Sequence, residues 1–511
     1  MKIRRRGQAC SLAERWGSVY SVSRAWRSST GADRYDLVVV GGGTGGLVSA
    51  LVAAGIGARV ALVERARMGG DCLWTGCVPS KSLLAAADLA HRIRHADQVG
   101  LVASEPEIDF RKVMEHVDGA RRVIAPQDSV DRLRRDGVEV VGGRASFEGP
   151  GLIRAAGRPL RYRKAIIATG SRPSVPRIEG LAGLKPLTSD TIWDLEDLPR
   201  SLAVLGGGAV GCELAQAFAR LGSEVTLIET RERLLSGEEP RAGELIASRL
   251  RDEGIDVWCG ARVTAVSGDG AAGELRLEHR RTPARIPFER LLVAAGRAPS
   301  TAELGLDRVG VRTDERGAVR VDGRLRTTAS HVYAVGDVTG GMAFTHVAAY
   351  QARVATINAL FGARRRVDYA AVPRVTFTDP EVAAVGLTES EARSRWDDPA
   401  VVSFDYAELD RAIVEGRRYG FVTLIGDPRG GLVGATIAAP GGAESIAELA
   451  AWMAGRAKLD RVSQTVHAYP TLSEGPARAA DAHLRARFAA PRTQRLARGA
   501  LRILGLLDHP R

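Results

Sequence analysis

The sequence predicts an α/β protein built on two Rossmann-like units, and three observations carry that prediction. From Asp36 the chain reads DLVVVGGGTGGLVSALVAAGIGARVALVE, a buried strand, a glycine turn, a helix and a second strand ending in Glu64. The same order returns from Leu202 as LAVLGGGAVGCELAQAFARLGSEVTLIE, ending in Glu229, about 165 residues further on. Between the copies stand Cys72 and Cys77, the only close pair among five cysteines.

Each glycine of the turn has a physical task. Gly41 permits the tight turn, Gly43 lets the backbone approach a pyrophosphate, and Gly46 allows the helix to pack closely on its strand. The helix N-terminus favours the phosphates, and Glu64 can accept hydrogen bonds from a ribose. In the second copy Gly206, Gly208, Gly211 and Glu229 take the same places. One such turn serves plain packing as readily as ligand binding; two complete copies predict two bound dinucleotides. An acid at the end of the second strand receives the ribose 2′-hydroxyl of NAD and repels the extra phosphate of NADP. Glu229 therefore predicts NADH, while Arg231 and Arg233, just beyond it, keep NADPH as the alternative.

The cysteines lie in GGDCLWTGCVPSK, residues 69–81. Residues five apart on an ideal helix are too distant and poorly aligned for a disulfide, so the segment has to be irregular. Gly76 relaxes the backbone, and Pro79 suits the first turn of a helix continuing through KSLLAAADLAHRI. Cys77 then sits near a helix N-terminus, where the dipole favours its thiolate. The competing readings are two buried structural cysteines, or half of a zinc site that lacks further ligands at suitable spacing. Redox chemistry is the stronger reading.

Bulk properties set bounds on this. At 511 residues with 45% hydrophobic and 26% charged content, the chain has room for two to four domains, and five cysteines are too sparse for a secreted disulfide framework. A cytoplasmic protein is expected. The net charge of +12 resides at the ends: residues 1–32 hold seven Lys/Arg against one acid, and residues 477–511 hold eight Arg against two Asp. A body of no net charge argues against a nucleic-acid partner. The head lacks the apolar run of a secretory signal and reads as a disordered leader, compatible in composition with a transit peptide, or an overcalled start. No run of 18 or more apolar residues occurs.

With the cysteine segment and both glycine turns go ATGSRP at 168–173, VAAGRAPS at 293–300, YAVGDV at 333–338 and VPRVTFTDPEVAAVGLTESEA at 372–392. On these motifs, over roughly residues 34–480, the chain resembles the class I pyridine nucleotide-disulfide oxidoreductases, whose members include dihydrolipoamide dehydrogenase, glutathione reductase and mercuric reductase. The resemblance implies two Rossmann-like domains, for FAD and NAD(P), plus a C-terminal α+β dimerisation domain in a homodimer. It implies a basic leader (1–33), an FAD-binding domain in two parts (34–198 and 294–370), an NAD(P)-binding domain (199–293), an interface domain (371–480) and a basic tail (481–511). Thr169, Gly170, Asp337 and His346 are then expected at FAD and Gly296 at NAD. Lys81 and Glu213 match a pair beside the flavin, a charge able to support the reduced cofactor. The implied relay runs from NADH through FAD to the disulfide, with Cys77 proximal to the flavin and Cys72 attacking the substrate.

The acceptor is read from HAYPTLSEG. In the disulfide-reducing members a His before the Pro, supported by a Glu four residues after it, protonates the departing thiol across the dimer. Here Pro470 and Glu474 are present but Tyr469 precedes the proline, and a phenol with a pKa near 10 is a poor acid–base partner for thiolate. His467, two residues earlier, is the candidate substitute. Tyrosine at this place and GGDCLWTGCVPSK resemble the mercuric-reductase-like branch, in which Cys72 and Cys77 would hold Hg(II) transiently as substrate. Two departures from that branch are that Cys259 is the last cysteine, leaving no C-terminal thiol pair, and that no metal-binding domain stands ahead of the first strand. A small-molecule disulfide acceptor, in a dihydrolipoamide-dehydrogenase-like enzyme, and a redox-sensing flavoprotein are the alternatives.

The tail RTQRLARGALRILGLLDHPR places Leu496, Ala500, Ile503, Leu504 and Leu507 at helical spacing with Arg495, Arg498 and Arg502 between them. Such a helix could lie on an anionic membrane, giving peripheral contact at the inner face, or pack on its own protein.

Overall fold

A computed structural model describes residues 34–507; the leader expected at 1–33 and residues 508–511 lie outside the described residues. β1 (Arg34–Val40), β2 (Val60–Glu64) and β3 (Val138–Gly142) are followed by β4 (Ala145–Gly149), β5 (Leu152–Ala155) and β6 (Arg158–Ile167). They form one sheet in the order β3-β2-β1-β6-β5-β4. β1, β2, β3 and β6 run parallel, and β4 and β5 complete the edge antiparallel. Leu37, Val38 and Val39 are fully buried, because helices or the chain cover both faces of a parallel sheet and leave no solvent side for a polar residue.

After the short β7 (Ser171–Pro173) the chain enters a second sheet: β8 (Leu187–Thr188), β9 (Ser201–Leu205), β10 (Glu224–Glu229) and β11 (Asp256–Cys259). An antiparallel meander follows, β12 (Ala261–Asp269), β13 (Ala272–His279) and β14 (Thr282–Phe288), and β15 (Arg290–Val293) then completes the all-parallel order β11-β10-β9-β15-β8. β16 (Arg297–Pro299) pairs with β7, and β17 (Val332–Ala334) returns to the first sheet beside β6. The second unit is thus an insertion between two strands of the first.

Residues beyond 372 make a third, wholly antiparallel sheet from β18 (Pro373–Thr376), β19 (Glu381–Gly386), β20 (Ala400–Asp405), β21 (Phe421–Gly426) and β22 (Leu432–Ala439), in the order β18-β19-β22-β21-β20.

Seven helices matter for the site and the surface. They are α1 (Thr44–Gly55), α2 (Gly70–Trp74), α3 (Cys77–Arg94), α4 (Ala209–Leu221), α5 (Thr345–Phe361), α6 (Glu474–Ala489) and α7 (Pro491–Leu507). The expected boundary at 480/481 falls inside α6, whose Ala479 and Ala480 are fully buried in the core of the third sheet. The tail therefore begins structurally at Pro491. Among the described residues no helix is long and apolar enough to cross a membrane.

Candidate active site

The two glycine turns have the same construction. Gly41 and Gly206 take left-handed φ values of +107° and +116°, and a Cβ on either would press into a backbone carbonyl, that of Ala168 or of Ala294. A Cβ on Gly46 or Gly211 would lie far inside contact with the carbonyl oxygen of Gly41 or Gly206, so helix and turn touch backbone to backbone. By contrast Gly208 has open space around its Cβ position, and Gly43 meets only Gly70 at 3.8 Å. No side chain caps α1 or α4, so the first-turn N–H groups are left for an anion. Glu64 and Glu229 sit at the strand ends and accept from Gly42 N–H at 2.6 Å and Gly207 N–H at 2.7 Å. A cradle that admits no Cβ, an uncapped helix end and a carboxylate on the adjoining strand fit a dinucleotide in both units.

The cysteine segment is built onto the first turn. Gly69 bridges Gly43 and donates to the Gly42 carbonyl at 2.9 Å, while Gly69 and Gly70 both have positive φ. α2 carries Cys72, the chain breaks at Thr75 and Gly76, and Cys77 opens α3 with Pro79 in its first turn. Trp193 Nε1 donates to the Thr75 carbonyl at 2.9 Å and fixes the break. Both cysteines are thiols in this structure. The hydrogen bond from the Cys72 thiol lowers Cys77 to about 6; Thr345 Oγ1, 3.2 Å from its sulfur, and the nearby charge of Lys81 act the same way against the cost of burial. Cys72 moves the opposite way, up, because it holds the shared proton and is buried. Cys77 and Thr345 are each the first residue of a helix, so two helix N-termini converge on this sulfur.

Lys81, one turn along α3 from Cys77, makes a 2.7 Å ion pair with the buried Glu213 and lies 4.4 Å from the Phe377 ring centroid. Glu213 also accepts from the Phe377 N–H at 2.8 Å. Further along the same face of α4, Gln216 exchanges hydrogen bonds with the Asp379 backbone and Arg220 pairs with the Asp379 carboxylate at 2.9 Å. The nucleotide helix of the second unit is thereby clamped between the cysteine helix and the 376–380 loop of the third sheet.

Other expected residues gather at the carboxyl ends of β1, β6 and β17, where ligands bind in such sheets. Thr169 Oγ1 donates to the Ser300 carbonyl at 2.7 Å, and Gly170 has a φ of +65°. Asp337 accepts from Ser171 Oγ at 2.7 Å. His346 Nε2 lies 2.8 Å from the Pro373 carbonyl oxygen with its ring stacked on Phe344. Gly296, φ +116°, has no atom within 4 Å of its Cβ position. Sequence reasoning missed Thr345 and Arg297. The latter bonds Ser171 Oγ at 2.7 Å, lies 3.9 Å from Asp337, and pairs with Asp71, the neighbour of Cys72. Arg297 stands inside the VAAGRAPS motif, but its partners Ser171 and Asp71 are 126 and 226 residues away in the chain and no local pattern announces them.

Within one chain no hydrogen bond or ion pair among the described residues joins the HAYPTLSEG segment to the cysteines. Tyr469 is 68% exposed, and its hydroxyl donates to Asp410 at 2.9 Å, which holds the phenol above its ordinary value. Glu474 is buried and accepts from Thr471 N–H at 3.1 Å. His467 turns inward to Glu448 at 3.0 Å and the Thr465 carbonyl at 2.9 Å, so its imidazole is engaged within its own domain.

Two dinucleotide cradles with a dithiol mounted on the first define a flavin- and nicotinamide-dependent thiol oxidoreductase. The chain belongs to the pyridine nucleotide-disulphide oxidoreductase family, which matches residues 35–352, with the family's dimerisation domain at 372–480. That family is FAD-dependent and uses NAD(P)H. A mercuric reductase from Streptomyces lividans is 38% identical over 447 residues, spanning 86% of this chain and 94% of its own. A dihydrolipoyl dehydrogenase from Geobacillus stearothermophilus is 34% identical over 456 residues, 88% of this chain and 96% of its own. The solved Cu(II) complex of the HOCl-induced flavoprotein disulfide reductase RclA from Escherichia coli superposes with a TM-score of 0.77 at 29% identity, covering 88% of this chain and 99% of that one.

Proposed function

We propose that this oxidoreductase passes electrons from NADH to a thiophilic metal, of the Hg(II) type, held at Cys72 and Cys77. The observation that carries this is the state of the segment before Pro470: Tyr469 is a phenol raised by Asp410, and His467 is engaged with Glu448. A disulfide acceptor leaves a thiolate that needs a proton; a phenol held above its ordinary value is a poor donor for it, and the His467 ring is turned into its own domain. Metal reduction has no such requirement, since NADH and Hg(II) give NAD⁺, one proton and Hg(0).

Bound FAD would supply the two-electron link between nicotinamide and cysteine pair. Gly41, Gly43, Gly46, Glu64, Thr169, Gly170, Asp337 and His346 would hold it, and Gly206, Gly208, Gly211, Glu229 and Gly296 the nicotinamide nucleotide. Thr345 and Lys81 keep Cys77 as thiolate, Glu213 keeps Lys81 in place, and Cys72 retains the proton until a metal displaces it. In a homodimer Tyr469 and Glu474 of the second copy would line the pocket, with Glu474 holding the turn.

The name of the Streptomyces relative and the Cu(II) bound to the Escherichia coli flavoprotein support a metal acceptor. The second reading, reduction of a lipoamide-like disulfide, is supported by the dihydrolipoyl dehydrogenases at similar identity. Steady-state NADH oxidation by holoenzyme with Hg(II)–thiol complexes, lipoamide, glutathione disulfide and a quinone separates them, and a sensor would undergo one reduction and stop. Tyr469→His should raise disulfide reduction by up to about 100-fold, because on this reading Pro470 and Glu474 would orient an imidazole. Brisk wild-type turnover of lipoamide or glutathione disulfide, without cysteine-dependent NADH oxidation by Hg(II), overturns the metal reading in favour of the second.

A further inference from the structure

The redox chemistry leaves α7 unused. From residue 491 to 504 every residue except Thr493 is exposed, and the helix leans on α6 at its start and on no other element to a comparable extent. At 100° per residue, Leu496, Ala500, Ile503 and Leu504 share one face, with Leu501 midway between Leu504 and Arg498; the side chain of Leu507 lies outside the described residues. Leu496 is 76% exposed, and Leu501, Ile503 and Leu504 are each more than half exposed. Arg495, Arg498 and Arg502 occupy the opposite arc, Arg492 borders the apolar face in the first turn, and no acid stands between 491 and 507. Among the described residues none of the four meets a carboxylate; Arg495 and Arg498 bond only to their own helix, at Pro491 and Gln494.

A bare apolar stripe beside four unpaired guanidinium groups needs an occupant that is apolar and anionic at once. The leader is excluded by charge, because seven Lys/Arg against one acid would be repelled by the arginine arc. Nucleic acid would satisfy the arginines and leave the leucines in water. A second copy presents a body of no net charge, so it offers no general match to the arc. An anionic phospholipid surface satisfies both, with the leucines among the upper acyl chains and the guanidinium groups at phosphate level. We infer that α7 is a peripheral anchor that docks this reductase on anionic phospholipid membranes.

The test is flotation of the full-length holoenzyme with vesicles of phosphatidylcholine alone or with 30% phosphatidylglycerol, a mixture chosen at about the charge density at which polybasic segments bind. Three variants accompany it: Arg495→Glu/Arg498→Glu/Arg502→Glu, Leu496→Ser/Leu501→Ser/Ile503→Ser/Leu504→Ser, and a chain ending at Ala490, which keeps the packed α6 intact. The expected result is partition onto the anionic vesicles only, weakened by 0.5 M NaCl. It should fall by about 100-fold in every variant, while NADH oxidation and dimer mass stay unchanged. The leader is the same in all four proteins, so binding that persists in the variants assigns the membrane to another segment and overturns the proposal. No binding by the full chain, dissociation of the dimer on removing α7, or double-stranded DNA binding that survives the serine substitutions also overturns it.

Discussion

The two glycine turns of this molecule are nearly interchangeable in geometry and differ in what is packed on them. Gly46 and Gly211 each press on a carbonyl of their own turn, and Glu64 and Glu229 each accept an N–H from it at 2.6 and 2.7 Å. Onto the first turn folds the cysteine segment, through the Gly43–Gly69 bridge. The second is followed by a loop in which Arg231 N–H donates to Glu229 at 2.8 Å and the Arg231 guanidinium is bonded to Ser236. Each turn fits a dinucleotide; on the proposed function the neighbouring loop decides whether that dinucleotide is a resident cofactor wired to thiols or an exchanging substrate. On that reading two copies of one pattern carry two different tasks.

Matched alanine substitutions break the comparison most sharply. Gly46→Ala puts a methyl against the Gly41 carbonyl and distorts the turn that supports Gly43 and hence Gly69, at a cost of about 1–3 kcal/mol or more. It should yield protein depleted in flavin, read as loss of the visible flavin absorbance. Gly211→Ala creates the same clash in the second unit, so it should retain flavin and raise the KM for NADH by about 10- to 100-fold, the same energy expressed at the other site. Equal flavin content in the two variants would show that the turns are not divided in this way.

The thiol pair mounted on the first turn gives an effect of intermediate size. Cys77 is lowered to about 6, so its thiolate predominates above that pH and is lost as pH falls through it. Alkylation of the two-thiol enzyme at Cys77 should be flat above about pH 6 and fall roughly tenfold per unit below it. Thr345→Val removes one hydrogen bond to the sulfur and should move the midpoint up by about one unit, the ~1.4 kcal/mol expected of a bond to a charged group. An unchanged midpoint in the variant would leave the Cys72 thiol and Lys81 as the sources of the shift.

Much of this was legible in the sequence because the forces involved are local. A glycine turn, its helix and its acidic strand end lie within one supersecondary unit, so spacing alone locates Gly41 to Glu64 and Gly206 to Glu229. The break between Cys72 and Cys77 was legible too, since an unbroken helix cannot bring them together. The long-range contacts that tune the site were legible only in part. Glu213 reaches Lys81 across 132 residues, a pair the family resemblance implies and spacing does not, whereas Thr345 reaches Cys77 across 268 residues, where no local pattern points to it. His467 illustrates the reverse. Its place near Pro470 suggested chemistry, and Glu448, 19 residues earlier, determines where the ring points. The spacing of Leu496, Ala500, Ile503 and Leu504 places the tail helix, whereas a domain bound at 480/481 divides α6, because the arginines of α6 resemble those of α7 and only burial of Ala479 and Ala480 distinguishes the two helices.

An effect of the same order as that of Thr345 lies in the nucleotide preference of the second turn. On the proposed function Glu229, at the end of its strand, is the acid that a ribose 2′-hydroxyl would meet, and a 2′-phosphate there would be repelled by a carboxylate. The Arg231 guanidinium is bonded to Ser236 and its backbone N–H to Glu229, so the first of the two nearby arginines is engaged within its own loop. NADH should therefore be preferred over NADPH. Glu229→Ala removes both the acceptor for NADH and the repulsion against NADPH, and should narrow the ratio of kcat/KM values by about tenfold, or ~1.4 kcal/mol. Glu229→Gln separates the causes: it keeps an acceptor for the Gly207 N–H while removing the charge, so a loss of preference without loss of NADH affinity assigns discrimination to electrostatics. If NADPH is already the better substrate of the wild-type enzyme, Arg233 or an incoming group outweighs the carboxylate, and the acidic strand end serves only to hold the turn.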